Sequence, residues 1–184
     1  DRDVALLCGE REGRRISGFD LGNSPLEYDR PTVSGRSLVL ASTNGTVVLS
    51  RCGVAVRTLT ASFCNLSAVA LAMQQAGGPW LIVCSGKLGR ACLEDLVCAG
   101  RLARQAFAGT TGTGDDVAPP AAERWDGLGI ALALEAVHGS DLRGLFSSCS
   151  HGRYLESIGF GPDLDVCAAQ DSLSIVPEFR AGRI

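Results

Sequence analysis

The apolar residues of this chain fall into short runs that are separated by polar and glycine-rich loops. A run of about four to eight apolar residues between such loops predicts a buried strand. The clearest run, WLIVC at residues 80–84, precedes the glycine loop SGKLGR at residues 85–90. The predicted strands cover residues 4–8, 37–41, 54–59 and 80–84, followed by two short closing strands at 165–168 and 174–176.

Between these runs the apolar residues recur with the spacing of an amphipathic helix. The predicted helices cover residues 47–52, 65–75, 93–107, 121–138, 140–146 and 150–158. Strands that alternate with helices in this way predict an α/β fold, layered α/β/α, with a largely parallel or mixed sheet. Ligands in such folds bind beyond the carboxyl ends of the strands, so the loops at 9–13, 42–46 and 85–90 are expected to meet there.

The length and composition indicate one globular domain, which we expect to span residues 1–184. Residues 108–120, AGTTGTGDDVAPP, form a low-complexity interval and are predicted to be a flexible loop. The net charge of −3 and the 5% of aromatic residues argue against nucleic acid as a partner. No apolar run approaches the ~18 residues of a membrane span, so no membrane partner is expected.

The eight cysteines lie inside apolar segments and not in regularly spaced loops. They are expected to be reduced and buried, which indicates a cytoplasmic protein. The chain has no C-x-x-C pair and only two histidines, far apart, which argues against a structural zinc site. A homo-oligomer is compatible with the sequence.

The loop SGFDLGNSPLE at residues 17–27 carries more polar groups than a connection needs. Asp20 and Glu27 can hold a metal, and Asn23 and Ser24 can donate or accept hydrogen bonds. These residues make the loop a candidate ligand site. The alternative is a two-turn connection between strands, in which the proline fixes the exit.

The turn STNGT at residues 42–46 lies between a predicted strand and a predicted helix. That order places backbone N–H groups and hydroxyl groups around an anion. The alternative is a helix cap, because Thr43 or Asn44 would serve as the N-cap residue whether or not a ligand binds. The sequence leaves both interpretations open.

A cysteine-dependent phosphatase is a second enzymatic hypothesis, because Cys84 and Arg90 fit the pattern C-x5-R between a strand and a helix. The same spacing occurs at two other places, Cys8 to Arg14 and Cys98 to Arg104. Three matches in a chain rich in cysteine and arginine reflect composition. Cys84 is better explained as the buried end of a core strand.

A set of short strings follows one order along nearly the whole chain. They are GEREG at 9–13, GFDLGNSP at 18–25, STNGT at 42–46, CSG at 84–86, LED at 93–95, CAG at 98–100 and SHGRYL at 150–155. In this order they resemble the 2-phosphosulfolactate phosphatase family. GFDLGNSP and TNGT are the most specific, because structural propensity explains neither.

The resemblance implies a Mg²⁺-dependent phosphatase that hydrolyses 2-phospho-3-sulfolactate, or a related phosphorylated 2-hydroxy acid. The products would be 3-sulfolactate and phosphate, in a step of coenzyme M biosynthesis. Family members carry an additional N-terminal strand and helix with an acidic, arginine-containing motif, and we expect this chain to begin after it. A third hypothesis is therefore a non-catalytic module that binds anions.

The site that the resemblance implies serves a small, strongly anionic phosphorylated substrate and Mg²⁺. The metal-ligand candidates are Asp20, Glu94, Asp95 and Glu10. The substrate-binding candidates are Asn23, Ser24, Thr43, Asn44, Gly45, Thr46, Arg11 and Arg153. The catalytic candidates are Asp20, which would join the loops through the metal, and His151, which would protonate the leaving alkoxide. Without the resemblance, His151 is better explained as a helix residue bonded to a nearby carbonyl.

Overall fold

The computed structural model describes residues 5–107 and 125–184, so the predicted flexible loop at 108–120 lies outside the described residues. Helices pack around a small mixed sheet, which confirms the predicted α/β fold. The strands are β1 (Ala5–Arg11), β2 (Arg14–Arg15), β3 (Ser37–Ala41), β4 (Thr58–Leu59) and β5 (Glu178–Phe179). The helices are α1 (Arg30–Val33), α2 (Gly45–Cys52), α3 (Leu66–Ala76), α4 (Leu93–Ala106), α5 (Asp126–His138), α6 (Leu142–Ser148), α7 (Ser150–Ser157) and α8 (Gly161–Ala168).

The strands β1 and β3, both predicted from the sequence, form a parallel pair. Their register joins Ala5 to Ser37 at one end and Gly9 to Ala41 at the other, and β2 pairs with β1 in an antiparallel hairpin. A side chain cannot replace the hydrogen at Gly9, because a Cβ there would lie 2.0 Å from the Ala41 carbonyl oxygen. Both strands therefore end side by side, and the loops that follow them emerge at the same edge of the sheet.

The hydrophobic core lies among the helices, with Leu66 and Val69 of α3 and Val97 of α4 almost completely buried. Helices α4 and α5 pack closely at Gly100, where a Cβ would lie 2.2 Å from the Ala131 carbonyl oxygen. This packing fixes the direction of α4. Within the described residues, none of the helices combines the length and the apolar surface needed to cross a membrane.

The six predicted helices correspond to α2 through α7, and their bounds shift by a few residues. The predicted start of the fifth helix, at residues 121–124, lies outside the described residues. The structure adds α1, which Asp29 caps by accepting a hydrogen bond from the Thr32 N–H at 2.9 Å.

The predicted strand at 80–84 is not a strand. Its burial alternates: Trp80 and Ile82 pack against the core, whereas residues Leu81 and Val83 are 85% and 49% exposed. No strand of the described residues pairs with it. Its apolar composition accounts for the buried face, but a strand also requires a neighbour that accepts and donates backbone hydrogen bonds.

The two predicted closing strands are also corrected. Residues 165–168 belong to α8, which has a proline in its first turn and buries Leu164. The strand predicted at 174–176 is wrong, since these residues form no strand, and the short strand β5 follows at Glu178–Phe179. β5 pairs antiparallel with β4, which is the only part of the predicted strand at 54–59 to form in the described chain. Runs this short cannot be assigned from periodicity alone.

Candidate active site

A cavity of about 770 Å³ lies at the carboxyl ends of β1 and β3. Three loops that the sequence places there contribute to its wall, with residues 10–13, 42–45 and 85–88. The first turns of α4 and α7 contribute further wall residues. The predicted meeting of these loops is confirmed, at the position where ligands bind in open α/β sheets.

The Glu10 carboxylate joins two of these loops. The Thr43 N–H donates to its Oε1 at 2.7 Å, and the Gly13 N–H donates to its Oε2 at 2.8 Å. Burial alone would raise the pKa of Glu10, but these two hydrogen bonds, together with the nearby Thr43 side chain and the His151 ring, outweigh it, and the pKa is lowered. Glu10 is therefore charged at neutral pH, and both of its oxygens already accept hydrogen bonds from the protein.

The turn after β3 brings an unsatisfied hydroxyl group to the cavity. Thr43 lines the cavity, and its Oγ1 is buried without a hydrogen-bond partner in the described part of the chain. Asn44 does not cap α2, since its Oδ1 accepts a hydrogen bond from the Leu88 N–H at 2.9 Å. Ser42 takes that role, because its Oγ accepts from the Thr46 N–H at 3.1 Å. The helix-cap alternative therefore does not account for Thr43 or Asn44.

Part of the loop at residues 17–27 reaches the cavity. Asn23 and Ser24 line it, and the buried Ser24 hydroxyl donates to Asp163 Oδ1 of α8 at 2.7 Å. Asp163 is a wall residue that the motifs do not indicate. Glu27 stays within the loop, where its Oε2 accepts from the backbone N–H of residue 22 at 2.7 Å.

Asp20 is not among the residues that line the cavity. Its Oδ2 accepts a hydrogen bond from the Leu7 N–H at 2.8 Å, and its own N–H donates to the Leu7 carbonyl at 2.8 Å. The exposed Asp20 thus fastens the loop to the side of β1. The structure does not bring Asp20 together with Glu94, Asp95 and Glu10, as a metal that joins the loops through it would require.

Two predicted substrate residues also lie outside the cavity. Thr46 Oγ1 donates to the Ser42 carbonyl at 2.9 Å within the first turn of α2, and Arg153 is exposed and donates to the Ser148 carbonyl. Arg11 does line the cavity, at the end of β1. Of the two predicted arginines, Arg11 is therefore the one placed to face a ligand.

The first turn of α4 brings Glu94 and Asp95 to the cavity. Asp95 Oδ2 accepts from the Gly86 N–H at 2.6 Å and from the Ser85 hydroxyl at 3.4 Å, which holds the 85–90 loop against the helix N-terminus. Across residues 5–107 and 125–184, no group of three or more His, Cys, Asp or Glu side chains is arranged to hold a metal ion. The magnesium site stays a prediction.

Lys87, the single lysine of the chain, is a wall residue that the motif-based site does not include. Its Nζ lies 3.0 Å from Nδ1 of His151 and 5.0 Å from the centroid of the Tyr154 ring. The His151 and Tyr154 rings stack with their centroids 6.5 Å apart. The signal that could have found Lys87 is its uniqueness, in a glycine loop that connects an apolar run to a helix.

The pKa of the half-buried His151 is lowered, first by burial and then by the Lys87 ammonium. The carboxylates of Glu94, Glu10 and Asp95 oppose this shift without reversing it. The imidazolium form that a general acid needs is therefore a minor species at neutral pH. These surroundings favour a neutral, hydrogen-bonding ring at His151.

The geometry does not support a cysteine nucleophile at Cys84. Burial, and then the Asp95 carboxylate, raise the pKa of its thiol, so the reactive thiolate is disfavoured. Neither Cys84 nor Arg90 lines the cavity, and α4 begins only at Leu93. The helix N-terminus therefore does not stabilise a thiolate in the manner that the C-x5-R pattern requires.

The fold and the cavity define an α/β protein with a candidate ligand site at the ends of parallel strands. The family model described as 2-phosphosulpholactate phosphatase matches residues 1–182. The chain belongs to this family of phosphoric monoester hydrolases, which confirms the resemblance of its motifs.

Three relatives illustrate the match, and each is named a probable 2-phosphosulfolactate phosphatase. The protein from Thermotoga petrophila is 36% identical over 98% of this chain and 73% of its own length. The protein from Caldanaerobacter subterraneus subsp. tengcongensis is 31% identical over 99% of this chain and 71% of its own length. The protein from Nostoc sp. is 37% identical over 94% of this chain and 69% of its own length.

We predict that Glu10→Gln lowers the free energy of unfolding by about 1 kcal/mol near neutral pH. The amide oxygen can replace only one of the two carboxylate acceptors, and the partial exposure of the site keeps the loss small. The lowered pKa of Glu10 sets the pH window: the contribution is fully present above the pKa of an unfolded glutamate and disappears as the pH falls through the folded value. Urea unfolding of both proteins from about pH 7 to about pH 3 measures the difference. A difference that stays constant over this range would contradict a charged Glu10 acceptor.

Proposed function

We propose that this protein hydrolyses the phosphate ester of 2-phospho-3-sulfolactate, or of a related phosphorylated 2-hydroxy acid, with Mg²⁺ as its cofactor. The proposal rests on one observation above all, that the motif loops of the family meet around a single cavity at the strand ends. The names of the relatives supply the substrate. Water adds to phosphorus and the bond from phosphorus to the ester oxygen breaks. That oxygen takes up, in net, one proton of the water, which gives 3-sulfolactate and inorganic phosphate.

The phosphate group is proposed to bind at the turn before α2. A phosphate oxygen would accept the hydrogen bond that the buried Thr43 hydroxyl lacks. Helix α2 begins at Gly45, which lines the cavity, and the N-terminus of a helix favours an anion through its N–H groups and its dipole. Thr43, Asn44 and Gly45 would then form the phosphate cradle, with Asn44 held in place by the Leu88 N–H.

The remaining anionic groups of the substrate require positive charge. Arg11 and Lys87 both line the cavity and carry it, and Arg11 is suited to a planar carboxylate or a sulfonate. Asn23 and Ser24 offer polar atoms at the opposite loop, although the Ser24 hydroxyl is already bonded to Asp163. We propose that Asn23 orients the substrate and that Ser24 holds the loop in place.

A divalent cation would balance the charges in this cavity. Glu10, Glu94 and Asp95 all line it, and by themselves they would repel a phosphate ester that also carries a carboxylate and a sulfonate. Mg²⁺ commonly takes one or two carboxylates and completes its shell with water and phosphate oxygens, so Glu94 and Asp95 fit it without a third protein ligand. When bound, the ion would neutralise the charge that the transferring phosphoryl group carries. Glu10 would attract the ion through its negative charge without binding it directly, because both of its oxygens already accept backbone hydrogen bonds.

The proposed substrate places the activity among small phosphorylated metabolites, with coenzyme M biosynthesis as its context. The eight cysteines are all free thiols, which is typical of a reducing compartment. We infer a cytoplasmic location from these two features together.

The activity is tested by measuring phosphate release from 2-phospho-3-sulfolactate and from a panel of phosphorylated 2-hydroxy acids. We expect turnover with Mg²⁺, its loss on chelation with EDTA, and most of it retained in Cys84→Ser, because Cys84 lies outside the cavity. Activity that survives chelation and disappears in Cys84→Ser would overturn the magnesium mechanism. No phosphate release from any substrate with Mg²⁺ present would favour a non-catalytic anion-binding module.

The phosphate cradle is tested separately by Thr43→Val, which removes the unsatisfied hydroxyl and keeps the shape of the side chain. We expect kcat/KM to fall about 10-fold to 100-fold with little change in stability, because the hydroxyl makes no hydrogen bond of normal geometry with the described residues. Thr46→Val is the matched control. Its hydroxyl donates to the Ser42 carbonyl, so it should lose about 1 kcal/mol of stability and retain more activity than Thr43→Val. Equal activity in the two variants, measured beside urea unfolding, would rule out a role of Thr43 in phosphate binding.

A further inference from the structure

We propose that Lys87 is a positioning residue that fixes the tautomer of His151, so that the ring presents an N–H group and not a lone pair at Nε2. The distance of 3.0 Å between Lys87 Nζ and His151 Nδ1 carries this inference. An ammonium group has three donors and no acceptor, so Nδ1 must accept the hydrogen bond. The proton of the neutral ring then resides on Nε2.

Two aromatic rings, those of His151 and Tyr154, contact the Lys87 ammonium and fix its position. Its Nζ lies 5.0 Å above the Tyr154 ring, within the range of a cation–π contact, and Tyr154 stacks on His151 with an interplanar angle of 19°. The Tyr154 hydroxyl in turn donates to the Glu12 carbonyl at 2.9 Å, which anchors the ring to the loop after β1. These contacts hold lysine, imidazole and phenol in one arrangement.

Lys87 has no carboxylate partner among the ion pairs of the described residues. The ammonium contacts the Nδ1 lone pair of His151 and the face of the Tyr154 ring, and neither contact neutralises its charge. An ammonium beside Nδ1 disfavours a second proton on the ring, and burial acts in the same direction. The carboxylates that face His151 from the surrounding elements, Glu10, Glu94 and Asp95, act in the opposite direction and do not reverse the shift.

The arrangement changes the chemistry available to His151. A neutral ring with a protonated Nε2 donates one hydrogen bond and cannot take a proton at that atom, so it serves as a donor to an anionic oxygen and not as a general base. His151 lines the cavity, and the oxygen it would bind belongs to the phosphate, carboxylate or sulfonate of the substrate. That last assignment rests on the proposed function, whereas the tautomer does not.

The composition of the chain makes the tautomer directly measurable. The chain contains two histidines, so His138→Gln leaves the ring of His151 as the one native imidazole signal. Long-range proton–nitrogen correlation spectra of ¹⁵N-labelled protein distinguish a protonated Nε2 from a protonated Nδ1. We expect a protonated Nε2 near neutral pH. A protonated Nδ1, or an even mixture of both tautomers, would overturn the proposal without any change at Lys87.

The dependence on Lys87 is tested by Lys87→Met, which removes the ammonium and retains an unbranched side chain. We expect an averaged tautomer signal and a rise in the pKa of His151, because a like charge is removed. Arg90→Met is the matched control, since it removes a cation of the same loop that does not line the cavity. A backbone amide spectrum checks that each variant is folded. An unchanged tautomer and pKa in folded Lys87→Met, or equal changes in Arg90→Met, would contradict the role of Lys87.

Kinetics separate this inference from the proposed function. With 2-phospho-3-sulfolactate, Lys87→Met should lower kcat/KM about 10-fold to 100-fold, and Lys87→Arg should recover part of the loss because a guanidinium can also donate to Nδ1. A wild-type protein that shows the expected tautomer and releases no phosphate would overturn the proposed function alone. A wild-type protein that is active with Nδ1 protonated would overturn the positioning role alone.

Discussion

The carboxylate of Glu10 is the interaction on which the candidate site depends most. It accepts one hydrogen bond from its own loop and one from the turn after β3, and so it joins the ends of the two parallel strands. Asn44 continues the connection by accepting from the Leu88 N–H, and Asp95 accepts from the Gly86 N–H. Glu10 thus joins the first loop to the second, Asn44 joins the second to the third, and Asp95 holds the third against α4.

This arrangement divides the polar residues of the cavity into two groups. Glu10, Asn44 and Asp95 use oxygens to hold loops, which limits what they can offer to a ligand. Within the part of the chain that the structure describes, Thr43 has a buried hydroxyl without a hydrogen-bond partner, and the Lys87 ammonium has no carboxylate partner. A buried donor and an ammonium that are not neutralised by the protein both favour an anion, which is the physical basis for a phosphorylated substrate.

The sequence was sufficient to predict β1 and β3, the helices α2 through α7 and the loops that meet at the strand ends, because apolar periodicity and the geometry of parallel sheets determine them. It missed α1, and it predicted part of α8 as a strand. It was not sufficient for residues 80–84, whose apolar composition is compatible with a strand but whose backbone has no strand neighbour in the described chain. At the site, the sequence was likewise not sufficient to predict the positions of Asp20 and Thr43. Both are polar residues of motif loops, and only the path of the backbone decides that one binds Leu7 and the other lines the cavity. The sequence did not predict Lys87 as a site residue, because its role depends on the His151 ring, which a helix distant in the sequence supplies.

The central claim is that anion and metal occupy the cavity at the turn before α2 and the first turn of α4. The most direct measurement is a crystal structure of the protein with Mg²⁺, phosphate and 3-sulfolactate. We expect phosphate density beside Thr43 and Gly45, and a metal bound by Glu94 or Asp95 that also contacts the phosphate. Metal and phosphate bound together at Asp20, on the outer side of β1, with the cavity holding only water, would contradict it.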